Sequence, residues 1–427
     1  MQDWILPLLR CPGSGDSLRL EAGKLHGPKQ AYPFLNGIPC LYPNPGMGLL
    51  EWGTKIQHYL QEESQQIAFA QALSQSAQSA LTKGRLKQQA IARQHNLSYL
   101  QQSLHAFLTY PQVPVLPSSQ QIYSYFKLFF RDWCWPGDEL QQYLEYVSAH
   151  LAKKAQNVLV LGSGAGGLSY GLAERFPDVR FVSLEHNPFL ALTADAIMQG
   201  QKIALYDYSL YPSSIEKTAQ RWSIQKPPLV VANHQSIIAS YPQLPFAPQS
   251  FDYIIAPWFL DILDMPFSDA IRALLPALKK DASLIFFGPA NVHKSHAEQQ
   301  WTPEEICDAF GQYFQRVSSD TSSLTYLNSN LDSQHRLETL LFAHCQQPRN
   351  KSPKPVAKAA ARLQLTPELL QYKAVNETFY KVLSVIDKDI TAPELATLLV
   401  SKFGFDNKES LYYAEFFIRK IAMDIGQ

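Results

Sequence analysis

The stretch Asn157-Val158-Leu159-Val160-Leu161-Gly162-Ser163-Gly164-Ala165-Gly166-Gly167-Leu168 constrains this chain more than any other. A run of strand-forming residues enters a turn built almost wholly from glycine, and a helical pattern follows at once. Small residues there let a ligand approach the main chain. An acid, Glu185, ends the next strand pattern, Phe181-Val182-Ser183-Leu184-Glu185. It stands near the roughly 20-residue offset at which a carboxylate reaches a ribose hydroxyl. A nucleoside-bearing ligand follows. Because Gly162, Gly164 and Gly167 also satisfy a dinucleotide fingerprint, the loop alone leaves NAD and S-adenosylmethionine both open.

Around the loop, strand patterns at 158–162, 180–185, 228–232, 252–256 and 283–288 alternate with helical ones. That order predicts an α/β fold with a parallel sheet covered on both faces. The runs 322–327 and 337–343 are read as an antiparallel pair at the sheet edge. At 427 residues the chain exceeds what one core usually serves, and its flanks differ in composition. Residues 1–46 are rich in Pro and Gly and read as a small β module. Residues 47–118, rich in Gln, Ala, Ser and Leu, read as a helical connector interrupted only at Gly84. Residues 119–346 hold the α/β domain. A basic, Pro-rich linker at 346–355 then leads to a small helical domain over 360–427, where Thr391 and Glu394 have capping-box spacing.

The 37 basic and 37 acidic residues cancel, so no net field steers the chain towards nucleic acid or an anionic membrane, and neither partner is expected. No apolar run approaches the length of a membrane helix. The N-terminus carries Asp3 and only a short apolar stretch after it, so a cytoplasmic protein is expected. Cys11, Cys40, Cys134, Cys307 and Cys345 are scattered without a CxxC pair, which suits free thiols in a reducing compartment and predicts no metal.

Two resemblances sharpen this reading. Cys11-Pro12-Gly13-Ser14, with the later Ala31-Tyr32-Pro33-Phe34-Leu35-Asn36-Gly37-Ile38-Pro39-Cys40-Leu41, resembles the Trm112-like zinc-ribbon module often found beside methyltransferases. It is a degenerate version, since Ser14 stands where a second cysteine would be and too few thiolates remain to close a tetrahedral site. The segment from Leu244-Pro245-Phe246 to Ser250-Phe251-Asp252 resembles the approach to the fourth strand of class I methyltransferases. It turns the cofactor choice towards S-adenosylmethionine on a Rossmann-like sheet.

Taken in order, Arg131-Asp132-Trp133, the Gly162 loop, Leu184-Glu185-His186-Asn187, Pro257-Trp258-Phe259-Leu260-Asp261, Gly288-Pro289-Ala290-Asn291-Val292-His293 and Tyr326-Leu327-Asn328 resemble the motifs of the carnosine N-methyltransferase family. The resemblance implies Arg131, Gly162, Gly164 and Glu185 at the cofactor, and Asp261, His293 and Tyr326 at the substrate. It also places Asn233-His234 where the family has an acid-aromatic pair, and Pro257 where it has a cysteine, both on the cofactor side; Leu128 replaces a family glutamine.

The implied activity is methyl transfer to a nitrogen of a small molecule or peptide, with an imidazole as acceptor. An imidazole with its pKa near 6.5 is largely neutral at pH 7, so catalysis becomes a matter of orientation. A carboxylate at Asp261 accepting one ring N–H would aim the other nitrogen at the methyl group. Other readings remain open. Asp261 also suits a helix cap. The 360–427 segment resembles small helical peptide-binding modules, which would make a peptide or protein the partner. The departures at Leu128 and Asn233 would also permit a cofactor-binding scaffold without catalysis.

Overall fold

The computed structural model describes residues 1–111, 122–152, 154–227, 233–260, 262–263, 265, 267–289, 301–349, 362–375, 380–403 and 410–425. Five short strands come first: β1 (Arg19–Glu21), β2 (Lys24–His26), β3 (Ala31–Tyr32), β4 (Phe34–Leu35) and β5 (Ile38–Leu41). Helices α1 (Pro45–Ser76), α2 (Ala80–Ser103), α3 (Ile122–Trp133) and α4 (Glu139–His150) follow. The alternating part runs β6 (Asn157–Leu161), α5 (Gly167–Arg175), β7 (Arg180–Glu185), α6 (Pro188–Met198), β8 (Ile203–Tyr208), β9 (Ala219–Ile224), β10 (His234–Ala239), β11 (Phe251–Pro257), α7 (Phe267–Leu274), β12 (Leu278–Pro289), α8 (Pro303–Tyr313), β13 (Phe314–Thr325) and β14 (Leu337–Pro348). The C-terminal elements are β15 (Arg362–Leu363), α9 (Pro367–Val375), α10 (Tyr380–Leu383), β16 (Ile390–Thr391), α11 (Ala392–Phe403) and α12 (Ser410–Ile425).

Among the described residues, nine strands form one sheet in the order β13-β14-β12-β11-β6-β7-β10-β5-β4. Strands β12, β11, β6, β7 and β10 are mutually parallel, and β14 runs antiparallel between β12 and β13. This is the strand arrangement of the class I methyltransferase, Rossmann-like fold, with extensions at both chain ends. The central strand explains itself: β6 is buried from end to end, as a parallel strand covered on both faces must be.

Two features depart from the sequence reading, and one expected strand falls where nothing is described. The expected strand at 228–232 lies outside the described residues, and the third parallel strand of the sheet is β10, which begins at His234. The helical connector breaks at 77–79 and not at Gly84. Ser79 accepts from the Thr82 N–H to cap α2, whereas Gly84 lies inside that helix with open space where a Cβ would go. The N-terminal module does not stand apart. β5 adds to the sheet parallel to β10, with Ile238 opposite Cys40 and Ala239 opposite Leu41. Ile5, Leu9, Leu18, Leu25 and Tyr32 share a core with sheet residues Leu159, Val182 and Leu184. Cys11 is buried there with its Sγ 3.1 Å from Tyr32 Oη.

The chain divides into two compact units, Met1–Val292 with Trp301–Asn350, and His293–Gln300 with Lys351–Gln427. The module, the connector and the sheet all belong to the first. In the second, β15 pairs antiparallel with β16, and the Thr391 N–H and hydroxyl both donate to Glu394 Oε2 at 2.8 and 2.7 Å, which starts α11. Among the described residues, no helix is long and apolar enough to cross a membrane.

Candidate functional site

The glycine turn after β6 holds Gly162 and Gly164 at φ +57°, a conformation that L side chains rarely adopt. Space forbids a side chain at the first of them too, because a Cβ on Gly162 would stand 2.7 Å from the Phe259 ring. The turn is tied to the neighbouring strand by Glu185. Its Oε2 accepts from the Gly164 N–H at 2.8 Å and its Oε1 from the Asn187 N–H at 2.9 Å. Burial raises the Glu185 pKa, and the N–H groups of Asn187, Gly164 and His186 offset part of that rise. A carboxylate offers about four acceptor sites, so with three N–H groups on it one remains for a ribose hydroxyl.

The Arg131-Asp132-Trp133 segment, at the end of α3, holds the other side of the turn. Asp132 Oδ2 accepts from the Gly167 N–H at 2.9 Å, at the first residue of α5, where a carboxylate complements the helix N-terminus. The Trp133 indole N–H donates to the Ala165 carbonyl at 2.9 Å. Arg131 lies behind them, its Nε 2.7 Å from Asp132 Oδ1 and a terminal nitrogen 3.3 Å from Glu139 Oε1. Burial alone would lower the Arg131 pKa, but Asp132 and Glu139 outweigh it and keep the guanidinium charged.

Glu139 carries the network onward. It accepts from the Tyr143 hydroxyl at 3.0 Å and, through Oε2, from the Leu327 N–H at 2.9 Å. The Trp258 indole N–H donates to Tyr143 Oη at 3.0 Å. Trp258, at φ +47°, stacks on Tyr326 with ring centroids 4.2 Å apart, and Arg336 lies 5.2 Å from the Tyr326 ring centroid. Tyr326 is thereby connected to the glycine turn through side chains of α4 and the end of β11.

Gly162, Gly164, Glu185 and Pro257 come together at the C-terminal ends of β6, β7 and β11, with Arg131 one layer behind. Asn233 and His234 do not join them. His234 opens β10 opposite Phe181, whereas Glu185 pairs with Ile238, so the two are four residues, about 13 Å, apart along the strands. Asn233 instead donates to the carbonyls of Ala173 and Phe176 at 3.2 and 3.3 Å, and His234 Nε2 lies 2.8 Å from Ser183 Oγ. The reason is the register of β10 on β7, which places this pair at the start of the strand, at the opposite end from the turn. Asp261 and His293 lie outside the described residues.

Sequence reasoning missed Glu139, Tyr143 and Trp258 as supports of the site. Only the Trp258 segment carried a local signal, through its place in a motif; Glu139 has none, since its partners are distant in the chain.

No protein-family model matches the chain, and no curated protein matches it. Solved structures do overlap part of it. One is a Thermotoga maritima S-adenosylmethionine-dependent methyltransferase, described as a possible histamine N-methyltransferase. It is 14% identical and covers 53% of this chain and 95% of its own, with a TM-score of 0.33. A second is the Bacillus subtilis YcgJ protein, at 13% identity, 49% and 98% coverage and a TM-score of 0.34. A third is Haemonchus contortus phosphoethanolamine N-methyltransferase 2 with S-adenosylmethionine, at 13% identity, 53% and 57% coverage and a TM-score of 0.36.

Proposed function

We propose that this chain is an S-adenosylmethionine-dependent methyltransferase whose acceptor is an imidazole nitrogen of a small molecule or peptide. The observation that carries the cofactor reading is Glu185. It ends the strand next to the glycine turn and bonds to that turn, in a sheet closed by an antiparallel strand between its last two neighbours. The residues fit the group: the left-handed glycines open the main chain, and Glu185 retains acceptor capacity for a ribose hydroxyl. Asn187 also offers a buried side-chain N–H with no partner.

When bound, the cofactor supplies an electrophilic methyl group on a sulfonium. This chain's residues bind and orient. The Gly162–Gly164 turn and Glu185 hold the nucleoside, and Arg131 with Asp132 keeps the turn in place. The acceptor side rests on the resemblance to the carnosine N-methyltransferase family. There Asp261 accepts a hydrogen bond from the ring N–H and fixes the tautomer, His293 holds the rest of the substrate, and Tyr326 walls the site beside Trp258.

The test is calorimetric titration with S-adenosylmethionine and with NAD, followed by isotope-labelled methyl transfer over a panel of imidazole compounds and peptides. S-adenosylmethionine binds and one ring nitrogen becomes methylated. Binding of NAD in its place ends the cofactor reading, and methylation confined to other acceptors ends the imidazole reading.

A further inference from the structure

We propose that α1, a helix outside the parallel sheet, supplies the nucleobase end of the cofactor site: His186, backed by Trp52, lies against the base, and the Glu51 carboxylate accepts from its exocyclic amine. This rests on the reading of the Gly162 turn and Glu185 as a nucleoside site. With the 5′ end of the nucleoside at the turn and its ribose on Glu185, the base must continue outward across the sheet, past β7 towards β10. Strands lie about 4.8 Å apart, so a nucleoside that starts at β6 ends over the tips of β7 and β10.

The N-terminal extension meets that place. Pairing of β5 with β10 carries Tyr42 to the tip of β10, where its hydroxyl donates to the His186 carbonyl at 2.6 Å. The rings of Tyr42 and Trp52 each stand edge-on to the His186 imidazole, with centroids 5.5 Å away. Lys55 Nζ lies 5.0 Å from the Trp52 ring centroid. His186 is exposed to water between the buried Glu185 and Asn187. Burial and the nearby Lys55 ammonium lower its pKa to about 4, so the ring is neutral and suited to lie against a neutral base.

Two polar groups there have chemistry to spare. Glu51 and Lys55 are half-buried one helical turn apart; each feels the other's charge, and Glu51 also acts on the Tyr42 hydroxyl. The Asn187 amide is 4% exposed; its oxygen accepts from the Phe189 N–H, and its nitrogen has no partner. A buried donor without an acceptor is unfavourable, and a ring nitrogen of the base would relieve it. An acceptor at Glu51 and a donor at Asn187 match a base that carries an amine and unprotonated ring nitrogens.

The experiment titrates the full chain with S-adenosylhomocysteine and with S-inosylhomocysteine, in which a carbonyl replaces the amine. The unchanged protein prefers the adenosine ligand by about tenfold or more, as a charged hydrogen bond allows. Glu51→Ala loses that preference by weakening the adenosine ligand alone, and Glu51→Gln, which keeps the shape, narrows it as well. An undiminished preference in both variants, or an equal loss for both ligands, overturns the proposal while leaving the cofactor reading in place. Failure of the unchanged protein to bind either ligand overturns both.

Discussion

Asp132→Asn tests whether the segment before the sheet sets the glycine turn. The carboxylate accepts from Arg131 Nε at 2.7 Å through one oxygen and from the Gly167 N–H at 2.9 Å through the other. An amide of the same shape has one acceptor and one donor, so whichever way it turns, an N–H faces an N–H. One charged hydrogen bond is lost, costing about 1.5–3 kcal/mol, and the survivor becomes a weaker neutral one. Arg131 keeps Glu139 at 3.3 Å. The cost therefore stays near the lower end of the roughly 3–5 kcal/mol seen when a buried charge is fully orphaned. A loss of about 3 kcal/mol is expected, read as a urea midpoint about 1 M lower if the slope is near 3 kcal/mol/M. Affinity for S-adenosylmethionine falls with it, because Gly167 starts α5 directly after the turn. Adding Arg131→Met removes one of the facing donors, so the double variant is less destabilised than the sum of the singles by about 1 kcal/mol or more. An Asp132→Asn protein within about 0.5 kcal/mol of the unchanged one, with additive energies in the cycle, would refute the reasoning.

Three further outcomes are expected. His234 is 9% exposed and burial lowers its pKa to about 4 from 6.5. Its contribution to stability is therefore full above pH 6.5 and is lost as pH falls towards 4, by an amount of order 3 kcal/mol; denaturation midpoints across that window should fall, and His234→Gln should remove that share of the slope while His186 and His344, shifted alike, keep theirs. Gly84→Ala, inside α2 with open space around it, should stabilise the protein by about 0.5–1 kcal/mol in the same assay, and a destabilisation would mean the helix is not continuous there. Asp261→Asn should slow methyl transfer by about a hundredfold, equivalent to about 2.7 kcal/mol, with S-adenosylmethionine affinity unchanged; equal loss of both would make the residue structural.

The sequence by itself determined the central machinery, because that machinery is local. A buried apolar strand, a glycine turn and a helix occupy consecutive residues, and Glu185 follows at the end of the next strand, so spacing alone exposes them. Continuous apolar runs marked β6, β11 and β12 for the same reason, and the paired runs near the end marked β13 and β14. Tertiary structure decided what pairing and packing decide. The sequence offered a strand at 228–232, where the apolar run is, and gave no sign of the strand at His234–Ala239. The pairing of β10 with β7 places Asn233 and His234 at the end of the sheet away from the glycine turn. The addition of β5 to that same strand was equally unreadable, since nothing in Ile38-Pro39-Cys40-Leu41 names its partner. That one pairing carries Tyr42 to the tip of β10, where its hydroxyl donates to the His186 carbonyl just past β7. Glu139 makes the same point at the level of a side chain: its bonds reach Arg131, Tyr143 and Leu327, and only the folded chain makes neighbours of residues as far apart as 139 and 327.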